Sequence, residues 1–287
     1  MSATALTART DLLPAPHGRA GLRGALVSEW TKIRSVRSTV WILLILVAAT
    51  AAIDILSATS WAHNLNQGAP AAVPGRPAPV LPPVPLDTAQ LEGGDYLGQL
   101  IAIVLGAIGV ASEYSTGMIR TTLSVQPRRG TVFFAKLAIL TLVCLVVGEI
   151  ISFGAYFVST SLISSDGVHF TLSNSDTLVG VIGGGLYLTG CALMAFGLAA
   201  VFRNTAAGIA VPVALLLVVD IIVHSALPTS WQTHVVRYVP MEAGPQIFAS
   251  QHTPGENLTA WHGFGVFMIY VVVCLAAGFW SFTKRDA

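Results

Sequence analysis

Three carboxylates stand inside long apolar runs: Asp54, Glu149 and Asp220. An isolated charge at membrane depth costs about 2.5–3.5 kcal/mol on insertion scales, so each of them needs water or a partner. Counted along a helix at ~1.5 Å per residue, Asp54 lies fourteen residues past Val40 and Asp220 fourteen past Ala206, each roughly 21 Å in. Glu149, counted from Leu137, lies roughly 18 Å in, so all three fall beyond the midplane of a ~30 Å hydrocarbon core. Two readings are open. The acids line an outward-facing cavity for a cationic or hydrogen-bonding substrate, gated by pairing with Arg237, or they serve helix packing and snorkel to the nearer surface.

Other chemistry is thinly represented. His63, His169, His224, His234, His252 and His262 fall on one side of the apolar runs and His17 on the other. None forms a His pair at i, i+4, there is no C-x-x-C, and no metal site is expected. Cys144, Cys191 and Cys274 each sit inside an apolar run and offer no disulfide framework for the loops. The chain lacks G-x-x-x-x-G-K-[ST], H-E-x-x-H and G-x-S-x-G. No catalytic residue, bound cofactor or nucleic-acid partner is expected, and the chain does not read as an enzyme.

The elements that must position these groups follow from composition. Hydrophobic residues make up 54% of the chain and charged ones 10%, against roughly 25% charged in soluble domains, so a water-facing surface cannot be covered. About 20 apolar residues span the bilayer, and six runs qualify: 40–58, 95–111, 133–158, 178–202, 206–227 and 264–282. None alternates as barrel strands do, so the fold class is an all-α polytopic membrane bundle. Residues 1–20 read as a disordered tail and 21–287 as a single transmembrane domain, with the fourth and fifth spans forming a hairpin at Arg203 and Asn204. The proline-rich segment from Thr59 to Asp95 reads as an external linker.

Basic residues set the orientation. Thirteen of the fifteen Lys and Arg fall on the side that holds both termini, leaving Arg76 and Arg237 opposite, so both termini are expected in the cytoplasm. Six basic residues precede the first span, which continues to full length and reads as a retained anchor rather than a cleaved signal. Arg outnumbers Lys twelve to three, a compositional hint of a GC-rich bacterial genome and hence of a bacterial plasma membrane.

Two cytoplasmic segments stand out. Leu22, Leu26, Trp30 and Ile33 share one face of a helix flanked by Lys32 and Arg34, the pattern of an amphipathic helix lying in the membrane interface. Glu29 falls inside that apolar arc, so it either snorkels to the headgroups or pairs with a basic group of the cytoplasmic loop or of a partner subunit. The second segment is the loop EYSTGMIRTTLSVQPRRG, Glu113 to Gly130. There Ser115 and Thr116 are placed to cap a short helix, Met118, Ile119 and Leu123 form its apolar face, and Pro127 ends it. Arg120, Arg128 and Arg129 surround it.

SEWTKIRSVRSTVW (Ser28 to Trp41), EYSTGMIRTTLSVQPRRGTVFFAK (Glu113 to Lys136) and RYVPMEAGPQIF (Arg237 to Phe248), with six spans, resemble the permease subunits of ABC-2 type ABC transporters whose ATPase is a separate chain. Many relatives carry threonine after the loop glycine, where this chain has Met118. The resemblance implies a connecting helix around Glu29, Trp30, Lys32 and Arg34. It implies a coupling helix from Glu113 to about Val125 that docks on the ATPase, with Glu113, Thr116, Gly117, Met118, Arg120, Pro127 and Arg129 as the contact region. It further implies short re-entrant helices before the last span, a second permease copy, the bilayer as surroundings, and ATP and magnesium held by the partner ATPase. Export of drugs, lipids, peptides or glycan precursors is the corresponding function. A polytopic membrane enzyme or sensor, or a proton-coupled secondary transporter working through Asp54, Glu149 or Asp220, are the alternatives.

Overall fold

The computed structural model describes residues 21–68, 89–163, 172, 175–249 and 258–285. Among these every regular element is helical, the solution that satisfies each backbone group within its own segment when no water is at hand. Six helical stretches are long and apolar enough to cross a membrane: α2 (Arg37–Gly68), α3 (Ala89–Ser115), α5 (Arg129–Ile163), α6 (Ser175–Phe202), the pair α7 (Thr205–Val213) and α8 (Val219–Ala226), and α11 (Ala260–Lys284). A single π-helical turn, Ala214–Val218, joins α7 to α8. It follows Pro212, which has no N–H for the preceding turn and whose ring crowds the carbonyl four residues back; a wider turn absorbs both faults.

Several helices outrun their apolar runs. The helix α2 continues to Gly68 and α3 starts at Ala89, so the linker expected from Thr59 to Asp95 is helical at both ends. The apolar run marks the hydrocarbon, whereas a helix can continue through the polar residues that flank it; the prolines of this segment all lie, in the sequence, between Pro70 and Pro85. That central part, and the tail expected at 1–20, lie outside the described residues.

The centre of the bundle is α6, enclosed by α3, α5, α7 and α11. Its contacts are close because small residues meet there. A methyl group on Gly106 of α3 would stand 1.9 Å from the carbonyl oxygen of Ala192; a Cβ on Gly197 of α6 would stand 2.5 Å from the Cys274 carbonyl oxygen of α11, and one on Gly278 of α11 2.5 Å from that of Gly197. Between helices in lipid, dispersion at such close approach replaces the hydrophobic drive. The α6–α7 hairpin turns at Arg203, which adopts the left-handed conformation at φ 54. Asn204 then caps α7, its side-chain oxygen accepting from the Ala207 N–H at 3.1 Å.

At the end of the bundle that carries most of the basic residues, Phe133 of α5 sits 5.2 Å from Phe196, 5.4 Å from Phe279 and 5.6 Å from Phe282, measured between ring centres. Arg203 lies over Tyr114 at 5.1 Å and donates to the carbonyls of Ser281 and Arg285, closing the C-terminus of α11. Two further helices stand at this basic end: α1 (Leu22–Ser35), packed on α5, and α4 (Met118–Val125), between α3 and α5.

At the opposite end a string of short turns, α9 (Thr229–Val235), a 3₁₀ turn (Val236–Tyr238), α10 (Pro240–Ala243) and a second 3₁₀ turn (Pro245–Ile247), folds back onto α6 and α11. Ala243, Ile247 and Phe248 are buried there, with Phe248 5.6 Å from the ring of Tyr187. The Tyr187 hydroxyl donates to the Gln99 amide oxygen, and Gln99 Nε2 donates to Met241 Sδ at 3.7 Å. Trp231 and Trp261 of this region remain exposed.

Candidate functional site

The helix α3 carries Glu113 and Tyr114 in its last turn and ends at Ser115. The hydroxyls of Ser115 and Thr116 both donate back to the Ser112 carbonyl, at 2.9 and 2.8 Å. They therefore close the helix behind them, and the expectation that they cap the helix ahead is corrected. The residue preceding α4 is Gly117, in the left-handed conformation at φ 72, a position where a side chain would strain the backbone. For the same reason Glu113 belongs to α3, and the loop helix expected from Glu113 is the shorter Met118–Val125.

Ile119 of α4 is buried and Leu123 packs against the core, while Met118 and Val125 face outward, Val125 at 76% exposure. Met118, the first residue of the helix, is half-exposed and lines the cavity and groove beside α1. Pro127 lies between α4 and α5 as expected, and the Arg128 carbonyl accepts the first N–H bonds of α5, from Thr131 and Val132. Arg129 donates to the carbonyl of Arg285 at the end of α11, and Arg120 points outward.

Beneath α4 lies a buried cluster of four charged side chains. Lys136 Nζ meets Glu113 Oε1 at 2.5 Å and Glu29 Oε2 at 2.9 Å; Lys32 Nζ meets Glu29 Oε1 and Glu113 Oε1, both at 2.7 Å. Two acids and two lysines alternate in a closed ring drawn from α1, α3 and α5. Glu29, Glu113 and Lys136 are all buried, and Glu113 Oε2 makes no hydrogen bond. Burial works against the charge on Lys32, but hydrogen bonds from it to Glu113 and Glu29 outweigh that effect, so its pKa lies above the usual 10.5. Of the two fates open to Glu29, the structure adopts pairing. The stripe of α1 that carries Leu22 and Trp30 is turned outward, and Glu29 with Ala25 forms its inner face.

A cavity of about 260 Å³ opens beside the ring, reaching from Glu29 and Lys32 to Thr116, Met118 and Lys136. A groove of about 420 Å³ runs between α1 and α4, lined by Ala25, Ser28, Met118, Thr121 and Val125. The ring thus ties together α1, the end of α3 that leads into α4, and the start of α5, and the grooves leave the outward side of α4 open. Lys136 was legible in the sequence as a basic residue near a span and as the end of the loop motif from Glu113, but not as a partner of Glu29, from which it is 107 residues away.

The three intramembrane acids stand on different helices. Asp54 of α2 is fully buried. Glu149 of α5 lies directly over Gly185 of α6, within 2.7 Å of where a Cβ would be, and its shielded Oε2 has no hydrogen-bond partner. Asp220 of α8 faces His224 one turn on, Oδ1 to Nδ1 at 3.4 Å, with Glu242 of α10 beyond it. Arg237, the gating partner considered for them, stacks on Tyr238 at 5.1 Å and forms no ion pair with them among the described residues. Burial raises the pKa of Glu242, helped by Asp220 and opposed by His224. His224 and Glu242 were missed by the sequence reading, which searched for His pairs and passed over an acid and a histidine at the same spacing.

No curated protein matches the chain. A family model described as "Protein of unknown function (DUF2705)" matches residues 90–287. The matched part includes Glu113, α4, Lys136 and the Asp220–His224–Glu242 group, and leaves out α1 with Glu29 and Lys32. With well over half of its length matched, from α3 to the last residue, the chain belongs to the DUF2705 family.

Proposed function

We propose that the protein is the membrane-spanning permease subunit of an ATP-driven ABC-2 type exporter, and that α4 is the helix through which a separate ATPase drives it. The observation that carries this reading is the mounting of α4. A short amphipathic helix stands at the basic end with its outward side uncovered, and its root is tied by the Glu29–Lys32–Glu113–Lys136 ring to α1, α3 and α5. A push on such a helix reaches α1 and two long helices, α3 and α5, through buried ionic contacts rather than dissipating in a loose loop. Two arrangements of the bundle, biased by nucleotide state through this contact, then provide alternating access.

In this reading the basic end is cytoplasmic, α1 is the interfacial connecting helix, and the turns from α9 to Ile247 are re-entrant helices of the outer leaflet. The protein resides in a bacterial plasma membrane and works with a second permease copy and two ATPase subunits. ATP and magnesium stay on those ATPases, so this chain does no covalent chemistry.

Gly117→Pro tests the assignment. Proline fixes φ near −65°, against 72 here, so α4 cannot start where it does. The variant is expected to insert in the membrane at wild-type level but to lose co-purification with the ATPase encoded by a neighbouring reading frame, and with it ATP-dependent transport. Retention of both by Gly117→Pro would sink the assignment.

A further inference from the structure

At the end of the bundle opposite α4, three side chains that sequence analysis did not group converge. Asp220 and His224 lie one turn apart on α8, and Glu242 comes from α10, so that one ligand atom of each lies within 4.8 Å of the other two. The imidazole is oriented by its own helix: Nδ1 is 3.1 Å from the backbone carbonyl of Asp220 and 3.4 Å from its Oδ1. With its proton on Nδ1 directed to the Asp220 backbone carbonyl, the ring leaves Nε2 with a bare lone pair. That nitrogen faces Glu242 Oε1 at 4.0 Å, too far for a hydrogen bond. Asp220 Oδ1 is shielded from water and accepts no hydrogen bond.

Lone pairs thus converge from three side chains with no donor between them. Binding a histidine whose other ring nitrogen is held by a backbone carbonyl is how proteins orient imidazole toward a metal. The backbone beneath is fixed as well, since Gln232 Nε2 donates to the carbonyls of His224 and Leu227, both at 2.8 Å.

We propose that Asp220, His224 and Glu242 form a binding site for one divalent transition-metal ion of the zinc class. Tetrahedral zinc with ligands at about 2.1 Å separates them by roughly 3.4 Å, whereas the ligand atoms now lie within 4.8 Å of one another, so the spacings must close by about 1.4 Å at most. His224 and Glu242 can make that adjustment, with side chains 45% and 38% exposed, and the exposure also gives an ion and its remaining water ligands access from solvent. One imidazole nitrogen among the ligands disfavours Mg²⁺ and Ca²⁺, which take oxygen shells. An ion held here would join the end of the fifth span to the short helices folded over α6 and α11.

The test uses the purified full-length chain in detergent, stripped with chelator. Titration of the wild type with Co²⁺ is expected to give visible d–d absorption saturating at one ion per chain, and Zn²⁺ to displace it. Calorimetric Zn²⁺ affinity is expected to fall more than about tenfold in His224→Ala and in Glu242→Gln. It should stay unchanged in His234→Ala, which removes a nearby exposed histidine of α9. Absence of the Co²⁺ band in the wild type overturns the site without reliance on any variant. Zn²⁺ affinity indifferent to a monodisperse Glu242→Gln, or lost equally in His234→Ala, overturns it too.

Discussion

Lys136→Met is expected to lower the stability of the detergent-solubilised chain by about 3–5 kcal/mol, the usual penalty for stranding a buried charge. Without Lys136, Glu29 and Glu113 share a single cation, Lys32, and both carboxylates remain under 10% exposed. Methionine matches the lysine stem in length, so packing is preserved and the loss reports charge. Two comparisons separate this account from general fragility of the site. Lys32→Met should cost less, because Lys32 is 27% exposed and its loss leaves Lys136 touching both acids. Lys136→Met combined with Glu113→Gln should recover much of the loss, since the ring then sheds one charge of each sign. Thermal unfolding followed by size-exclusion chromatography measures all three; equal melting temperatures for Lys136→Met and wild type would show that the ring is not holding α1, α3 and α5 together.

Gly106→Val should be more damaging still. A Cβ at this position would sit 1.9 Å from the Ala192 carbonyl oxygen, on the backbone of the central helix. Backbone cannot rotate aside as a side chain can, so α3 and α6 must part along the interface that organises the bundle. The expected cost exceeds the ~1–3 kcal/mol typical of overpacked cores and should appear as loss of folded protein from membranes. Gly24→Ala, where nothing lies within 4 Å, should express and melt as wild type and serves as the control. Normal yield and melting of Gly106→Val would mean that the close α3–α6 crossing does not exist.

The spans were legible because hydrocarbon thickness imposes a length that composition must meet, and the six runs found in the sequence coincide with the six long helical stretches, only the fifth run passing its helix end, at Ala226, by one residue. Helix ends were less legible, since they depend on breakers and local hydrogen bonds rather than on apolarity. Ser115 and Thr116 illustrate this: both are good capping residues, but only the left-handed Gly117 decides that they close α3 rather than open α4. Glu29 announced itself as a misfit on an apolar stripe. Its partner could not be read, because Lys136 is brought to it only by the packing of α1 on α5. Asp220 was found as an intramembrane acid, whereas Glu242, from a four-residue helix, joins it only through the way the outer turns fold back.

The central claim is that α4 is where a partner ATPase touches this chain, and a photo-crosslinking amino acid at Val125, 76% exposed on α4, tests it most directly. In membranes that also hold the neighbouring ATPase, the probe is expected to give a covalent adduct with that nucleotide-binding subunit, while the same probe at Trp231, exposed at the opposite end, gives none. No adduct from Val125 in membranes where both subunits are present, or adducts of equal yield from Val125 and Trp231, would contradict the account.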